Sequence, residues 1–505
     1  MVIYKPTNNL ILVFSIALLL YILPQFYLWD HISDDAYISF RYVDRFLDGK
    51  GLTFNDGEKV EGFSNPLWIF SIAAFSKITS LEIPLSAKIL GFMSSALILF
   101  FILLISKVLL ENSKLLIFMF FIYSIILLTP GFHVYSTAGL EGPLLSCLLI
   151  ASTYYSISNK KNHLYIASLL MGLVGICRPE GLLYSFLWLF FTYGLKKNKN
   201  VSYLKRIIIV LLPSLIYLSF RWIYYGEILS NTFYAKPTGV YSYLFGLQDT
   251  LKYFIIIPVP FLVILIYYYF TRHRIMDQFI LTITSLIIAN FIFVLYANGD
   301  WMYFSRFFLP VWPLWIMGFT YLLIDFIESL IKKTLSIKLI LFLYLLLTVI
   351  TQILVLQNQW LEYIQNNNYA NLMKGKDQLL VGKWLNKNIA ANSTVATFRL
   401  GGISYGAPKL IFYDTFGLTD NEVATFRRQG HINFETDLNP VIKRHPDILA
   451  VINDHGFRRV TVEVMRGFDE YLEKNYTLVK FFSQGIGVFF EIWIDKKEKD
   501  KILIS

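Results

Sequence analysis

The chain has 505 residues, of which 56% are hydrophobic and only 16% charged, against about 25% charged in an ordinary soluble domain. That apolar excess excludes a soluble protein with one large core and places the chain in a membrane. The formal net charge of +10 is compatible with nucleic acid, an anionic bilayer or basic cytoplasmic loops, and its distribution along the chain decides for the loops.

Apolar runs long enough to cross a hydrocarbon core of about 30 Å recur from residue 9 to residue 357. They predict about eleven spans, at 10–28, 84–109, 114–129, 142–158, 163–177, 181–195, 207–225, 251–270, 277–297, 308–331 and 336–356. Ser64–Lys77 is shorter and reads as a re-entrant or interfacial helix. Leu10–Leu28 lacks a small-residue cleavage site and is expected to be a span, not a signal peptide. Threaded from a cytoplasmic N-terminus, the connections expected inside are Lys107–Lys114, Asn159–Lys161, Lys196–Arg206, Thr271–Arg274 and Lys332–Lys338, and each is basic. The opposite connections carry Asp34, Asp35, Glu61, Glu141, Glu180, Glu227 and Asp300. This asymmetry sets the orientation and removes nucleic acid as a partner. The two cysteines, Cys147 and Cys177, lie in apolar segments and imply no disulfide framework, metal finger or redox motif.

From about Gln359 the composition turns polar and no spanning run follows. Leu379–Ile389 reads as an amphipathic helix, and Thr394–Phe398, Leu410–Tyr413, Ile448–Ile452, Leu478–Phe482 and Val488–Ile494 read as short strands. The expected fold class is a polytopic α-helical membrane protein with a C-terminal extracytoplasmic α/β domain. The division is 1–357 for the transmembrane part, with its first outer loop at 29–65, and 358–505 for the outer domain.

The chemistry is expected on the outer side. Asp34 and Asp35 stand side by side just past the first span, where acids are costly to keep beside a bilayer and are functional candidates for that reason. One of them can take a proton from an acceptor hydroxyl while the other orients or binds; the plain alternative is that they cap the helix that follows. Arg41 and Arg45 lie four apart on that helix and face one way, toward a lipid phosphate or the headgroups. Glu61 and Asn65 offer hydrogen bonds suited to sugar hydroxyls, Pro66 is placed to start a helix, and Trp68 is expected in the membrane interface as a further sugar contact. Arg178 and Glu180 in RPEG, Arg221, Lys236 in NTFYAK, and Asp300 and Arg306 around WMYF sit at outer ends of spans. Basic residues there run against the positive-inside bias. Binding a lipid-linked phosphate supplies a reason, and snorkelling to headgroups is the bland alternative. Glu141, Asn231 and Tyr234 complete the candidate sugar or acceptor contacts. In the C-terminal part, Gly401-Gly402 and Asp414–Asp420 read as strand-end loops whose glycines serve turn geometry. No P-loop, HExxH, GxSxG or Cys/His metal spacing is present.

The stretch DDAYISFRYVDRFLDGKGLTFNDGEKVEGFSNPLW, with GLEGPL (139–144), RPEG (178–181), NTFYAK (231–236), NGDWMYFSRFFLP (298–310) and FYDTFGLTDNEVA (412–424), runs through the whole chain in order. It resembles the GT-C glycosyltransferases, closely the mycobacterial terminal β-(1→2)-arabinofuranosyltransferase family and its relatives in other bacteria. The resemblance implies a GT-C fold in the bacterial cytoplasmic membrane and a polyprenyl-phosphate sugar donor, a pentofuranose among the candidates. It implies transfer outside the membrane to a glycan, lipid or protein of the cell envelope. It also implies a first-loop aspartate as base, a role that falls on Asp34 or Asp35, with Asp34 favoured. The reading is then an inverting, metal-independent transfer in which some of Arg178, Arg221, Lys236 and Arg306 stabilise the departing phosphate, and Asp35, Glu61 and Asp300 orient sugar hydroxyls. No cofactor is named by the sequence, and a divalent cation is left open. The rivals are a lipid-linked glycan transporter, against which the one-sided charges and absent repeats speak, and a glycan polymerase or ligase.

Overall fold

The computed structural model describes residues 8–110, 119, 122–158, 160, 162–193, 201–235, 278–297, 302, 304, 306–331, 375–428, 440–454, 468–483 and 488–503. Among these, four helices are long and apolar enough to cross a membrane: α1 (Asn8–Leu28), α4 (Ile83–Leu109), α9 (Tyr203–Tyr225) and α11 (Gln278–Tyr296). A fifth crossing is formed if the pair α5 (Pro130–Thr137) and α6 (Gly142–Ile157), bent by 112°, counts as one span. The protein is therefore a membrane protein, and among the described residues the count of eleven is not confirmed. The spans expected at 251–270 and 336–356 lie outside the described residues, as do 114–118, 120 and 121 of that expected at 114–129. One expected span forms a shorter helix, α7 (His163–Cys177) with 15 residues, and among the described residues α8 (Gly181–Tyr193) has 13. At 1.5 Å per residue α7 reaches roughly 23 Å against a core of about 30 Å. The short helix expected after the first loop is α3 (Pro66–Thr79), and it begins on Pro66.

Between α1 and α3 lies α2 (Asp34–Leu47), with ten buried residues including Tyr37, Phe40, Arg41 and Tyr42. The chain reverses between α5 and α6 at Gly139, whose φ of +82° suits glycine, and a Cβ there would press on Phe40 and Ala36. Ser33 N–H donates to Ala138 O at 3.0 Å, so the start of α2 is tied to that reversal.

The remaining elements are α10 (Asn231–Ala235), α12 (Trp312–Ile331), α13 (Gly375–Asn388), β1 (Thr394–Thr397), α14 (Gly401–Gly406), β2 (Ile411–Asp414), α15 (Asn421–Arg428), α16 (Pro440–Lys443), β3 (Ile448–Asp454), α17 (Phe468–Asn475), β4 (Tyr476–Ser483) and β5 (Val488–Asp495). All five expected strands are present, in the order β2-β1-β3-β5-β4. β1 runs parallel to β2 and β3, and β5 runs antiparallel to β3 and β4. A parallel pair needs a crossover, and α14 supplies the one between β1 and β2. One apolar cluster joins the spanning helices. A second contains Tyr37, Phe40 and Val43 of α2 together with Val381, Ile403, Phe412 and Ile448. The loop between α1 and α3 and the α/β domain thus share a core, and both must lie on the same side of the membrane.

Candidate active site

Asp34 and Asp35 occupy the first turn of α2, where the unpaired N–H groups of a helix favour negative charge. Neither is the cap; Ser33 holds that position. Their surroundings differ. Asp34 is 5% exposed, and its Oδ1 accepts the Gly402 N–H at 2.7 Å. Burial pushes its carboxyl up to about 6, against the pull of the Gly402 N–H and the Arg399 charge. The Asp35 side chain is 39% exposed, and its Oδ2 lies 3.7 Å from Arg306 Nη1.

From Arg306 the site continues through an aromatic ring. The guanidinium groups of Arg306 and Arg178 lie 4.9 Å and 5.3 Å from the centroid of Phe307. Arg178 donates to Glu141 Oε1 at 2.5 Å and from Nε to Glu180. Glu141 Oε2 accepts from Asn65 Nδ2 at 2.8 Å, and Asn65 Oδ1 accepts from Ser39 Oγ of α2 at 3.3 Å. Asp35, Arg306, Phe307, Arg178, Glu180, Glu141 and Asn65 therefore form one connected group that returns to α2. Arg178 faces two carboxylates, so its charge is already more than balanced.

The far end of the loop is held separately. Arg221 Nε and Nη2 donate to the two Glu61 oxygens at 2.5 and 3.1 Å, and Tyr217 Oη donates to Glu61 Oε1 at 2.6 Å. Burial pushes the Glu61 carboxyl up from its ordinary value, and the Arg221 hydrogen bonds oppose this. Asn231 N–H donates to Glu61 O at 3.0 Å, while its Nδ2 donates to the carbonyls of Gly417 and Leu418 at 2.8 and 2.9 Å. Arg221 and Asn231 thus act within the protein, joining the loop end to the turn after β2. Tyr234 is half-buried under the Arg428 guanidinium, 4.8 Å from its ring centroid. Lys236 and Asp300 lie outside the described residues.

Three expectations are corrected. Trp68, expected in the interface as a sugar contact, is 1% exposed, and its indole N–H donates to Gly139 O at 2.9 Å; it is a core ring with no face open to a ligand. Arg41, expected at lipid phosphate or headgroups, is 3% exposed. It donates to the carbonyls of Phe54 (2.9 Å), Ser404 (2.5 Å) and Leu410 (3.1 Å), bolting α2 to the α/β domain. Arg45, on the same face, donates to Thr53 O at 3.0 Å and pairs with Asp56, closing the loop on itself.

Some functional positions had no clear signal in the sequence. Gly401 and Gly402 were visible as a glycine pair after a strand, but nothing local ties them to Asp34. Arg399, whose charge acts on Asp34, and Phe307, which lies against two guanidinium groups, were not singled out. Among the described residues, no group of three or more His, Cys, Asp or Glu side chains is arranged to hold a metal ion.

Residues 365–499 match the model of a family described as a domain of unknown function, DUF8728. Among curated proteins no sequence match is found. In three dimensions the chain is similar to ArnT from Cupriavidus metallidurans, solved bound to undecaprenyl phosphate, with a TM-score of 0.58 and 10% identity over 97% of this chain and 98% of that one. It is similar to the oligosaccharyltransferase of Archaeoglobus fulgidus in its apo form, with a TM-score of 0.55 and 11% identity over 97% of this chain and 75% of that one. It is also similar to AglB, the oligosaccharyltransferase of that organism in complex with an inhibitory peptide and a dolichol-phosphate, at a TM-score of 0.54 and 12% identity over 96% and 74%. The fold is therefore that of GT-C membrane glycosyltransferases. The narrower likeness to arabinofuranosyltransferases rests on the sequence motifs alone.

Proposed function

We propose that the protein is a glycosyltransferase that moves a sugar, a pentofuranose by the sequence motifs, from a polyprenyl-phosphate donor to a hydroxyl of a cell-envelope glycan, lipid or protein. The observation that carries this reading is the division of labour in the acid pair. Asp34 is buried with its carboxyl near neutrality, and Asp35 stands half-exposed opposite Arg306. Two neighbouring acids whose environments differ in this way suit two roles, and a general base works best when its pKa lies near the working pH. Asp34 takes the acceptor proton as the acceptor oxygen bonds to the anomeric carbon. The bond from that carbon to the phosphate oxygen breaks with inversion, and polyprenyl phosphate leaves with the electron pair. Arg306, with Lys236, stabilises the negative charge that develops on the phosphate. Arg221 holds Glu61 as an anchor of the loop, Arg178 holds Glu141 and Glu180 in place, and those two acids, with Asp35, Asn65, Tyr234 and Asp300, orient sugar hydroxyls. No step requires a cation, although a divalent ion at the phosphate fits the same chemistry.

Residues 1–357 form the catalytic membrane domain in this reading, and 358–505 the outer α/β domain in a bacterial cytoplasmic membrane. The basic inner connections support that orientation. A second enzymatic reading, transfer of a preassembled block, is favoured by the likeness to oligosaccharyltransferases. The test is transfer by the purified chain from a synthetic polyprenyl-phospho-sugar, with mass analysis of the product showing one sugar or a block. Asp34→Asn is expected to fold and to lose about a thousandfold in turnover. Normal turnover by that variant, with loss in Asp35→Asn, would move the base to Asp35.

A further inference from the structure

The α/β domain does more than sit beside the acid site. α13 and α14 are pressed onto the start of α2 through three glycines. Gly375 N–H donates to Ile32 O at 2.8 Å, and a Cβ on Gly375 would lie 2.4 Å from the Tyr37 ring. A Cβ on Gly401 would lie 2.0 Å from Asp34 O and 2.8 Å from Asp34 Oδ1. A Cβ on Gly402 would lie 2.6 Å from Gly375 O. Real Cβ atoms do not come this close, so Gly401 and Gly402, which face backbone, admit only glycine without a shift of the chain, and at Gly375 the Tyr37 ring would have to move. The seam is reinforced by Arg41 on Ser404 O and Leu410 O and by Tyr405 against Tyr37 and Phe40, at centroid distances of 5.4 and 6.1 Å. Asp34 itself is covered, and Gly402 N–H holds one of its oxygens at 2.7 Å.

We infer that Gly401 and Gly402 are positioning residues for proton transfer: with the α/β domain seated on α2, the Gly402 N–H fixes the Asp34 carboxylate and the missing side chain of Gly401 makes room for it. The acid site is complete only when the two parts of the chain are closed on each other. A domain that carried acceptor alone could be displaced without changing the acid. Here displacement removes the Gly402 donor and uncovers Asp34. The inference rests on Asp34 being the base, and its test has one arm that needs no substrate.

In that arm, hydrogen–deuterium exchange is followed in the peptide Leu400–Tyr405 of the purified chain. The Gly402 amide is expected to be protected in wild type and in Asp34→Asn, whose amide oxygen still accepts, and to exchange about tenfold faster in Asp34→Ala. Equal protection in Asp34→Ala overturns the clamp, whether or not transfer has been detected. The second arm reads transfer. Gly401→Ala is expected to lose on the order of a hundredfold in kcat, with the donor KM unchanged, because a displaced base costs that much. Gly382→Ala strains the same domain, with a Cβ 2.2 Å from Ile403 O, but does not touch Asp34. It is expected to lose stability while each folded molecule keeps its kcat. Equal kcat losses in Gly401→Ala and Gly382→Ala would show a merely structural contact and overturn the inference. Absence of transfer by wild type would count against the glycosyltransferase reading and leave the exchange result standing.

Discussion

Two arginine–carboxylate pairs flank the first outer loop, one near each end, and they are built to different standards. In Glu61–Arg221 the side chains are 2% and 12% exposed. Each Arg221 nitrogen has an acceptor: Nε and Nη2 on Glu61, and Nη1 on Ile228 O at 3.1 Å. Tyr217 adds a donor to Glu61. In Asp35–Arg306 the atoms stand 3.7 Å apart, longer than a hydrogen bond, and the acid is 39% exposed. A closed, desolvated pair fixes architecture, because opening it leaves a buried charge. An open pair with a solvent-facing acid can exchange partners when a charged ligand arrives. The loop is thus anchored at its Glu61 end and available for chemistry at its Asp35 end.

The largest effect should come from breaking the anchored end. Arg221→Met leaves the Glu61 carboxylate buried and unpaired, and the chain should lose about 3–5 kcal/mol of stability, read as a lower unfolding midpoint in detergent. Adding Glu61→Gln should restore part of that loss. An unchanged midpoint in Arg221→Met would erase the contrast between the two ends.

Next in size is a gain. Burial raises the Asp34 carboxyl from 3.8 to about 6, so the folded protein holds this proton more tightly than the unfolded chain does. Stability therefore falls as pH rises through this window, and above it the full cost of the buried charge is present. Asp34→Asn removes the charge and keeps an oxygen for the Gly402 N–H. It should be more stable than wild type by about 3 kcal/mol near pH 8, the difference closing below about pH 4. Asp414, whose carboxyl burial also pushes to about 6, is common to both proteins and cancels. A variant that loses turnover and gains stability would mark Asp34 as an acid kept for function; equal stability at both pH values would refute its burial.

Much of this architecture was legible because it is periodic. Long apolar runs gave α1, α4, α9 and α11, and alternation gave five strands within about two residues of their ends. Length is where the reading is weakest: α7 is apolar enough to span, but its 15 residues are short for a full crossing. In the site, Asp34 and Asp35 stood out because charge beside a bilayer is costly, and RPEG because a bare turn needs neither charge. What could not be read was partnership. Arg41 meets carbonyls more than 360 residues away, and Asp34 meets Gly402 across 368, separations that no local pattern encodes. Trp68, next to a helix-starting proline, fits an interfacial belt and a core equally well; only the Gly139 carbonyl, 71 residues on, decides.

The smallest effect on stability belongs to the open pair, and it sharpens the comparison most. Arg306→Gln gives up a pair already stretched to 3.7 Å together with the charge over the Phe307 ring, and the acid it leaves behind is 39% exposed and can be rehydrated. The loss in unfolding free energy should therefore stay at about 1–2 kcal/mol, below that of Arg221→Met. Turnover should respond on another scale, by about a hundredfold, because a preorganised cation facing the departing phosphate acts in the transition state and not in the resting protein. Arg306→Lys keeps the charge without the planar fork and should fall between the two. If Arg306→Gln melts as early as Arg221→Met, the pair is architectural and both loop ends are anchors. If it melts like wild type and turns over like wild type, the phosphate is held elsewhere, and the functional half of the contrast is wrong.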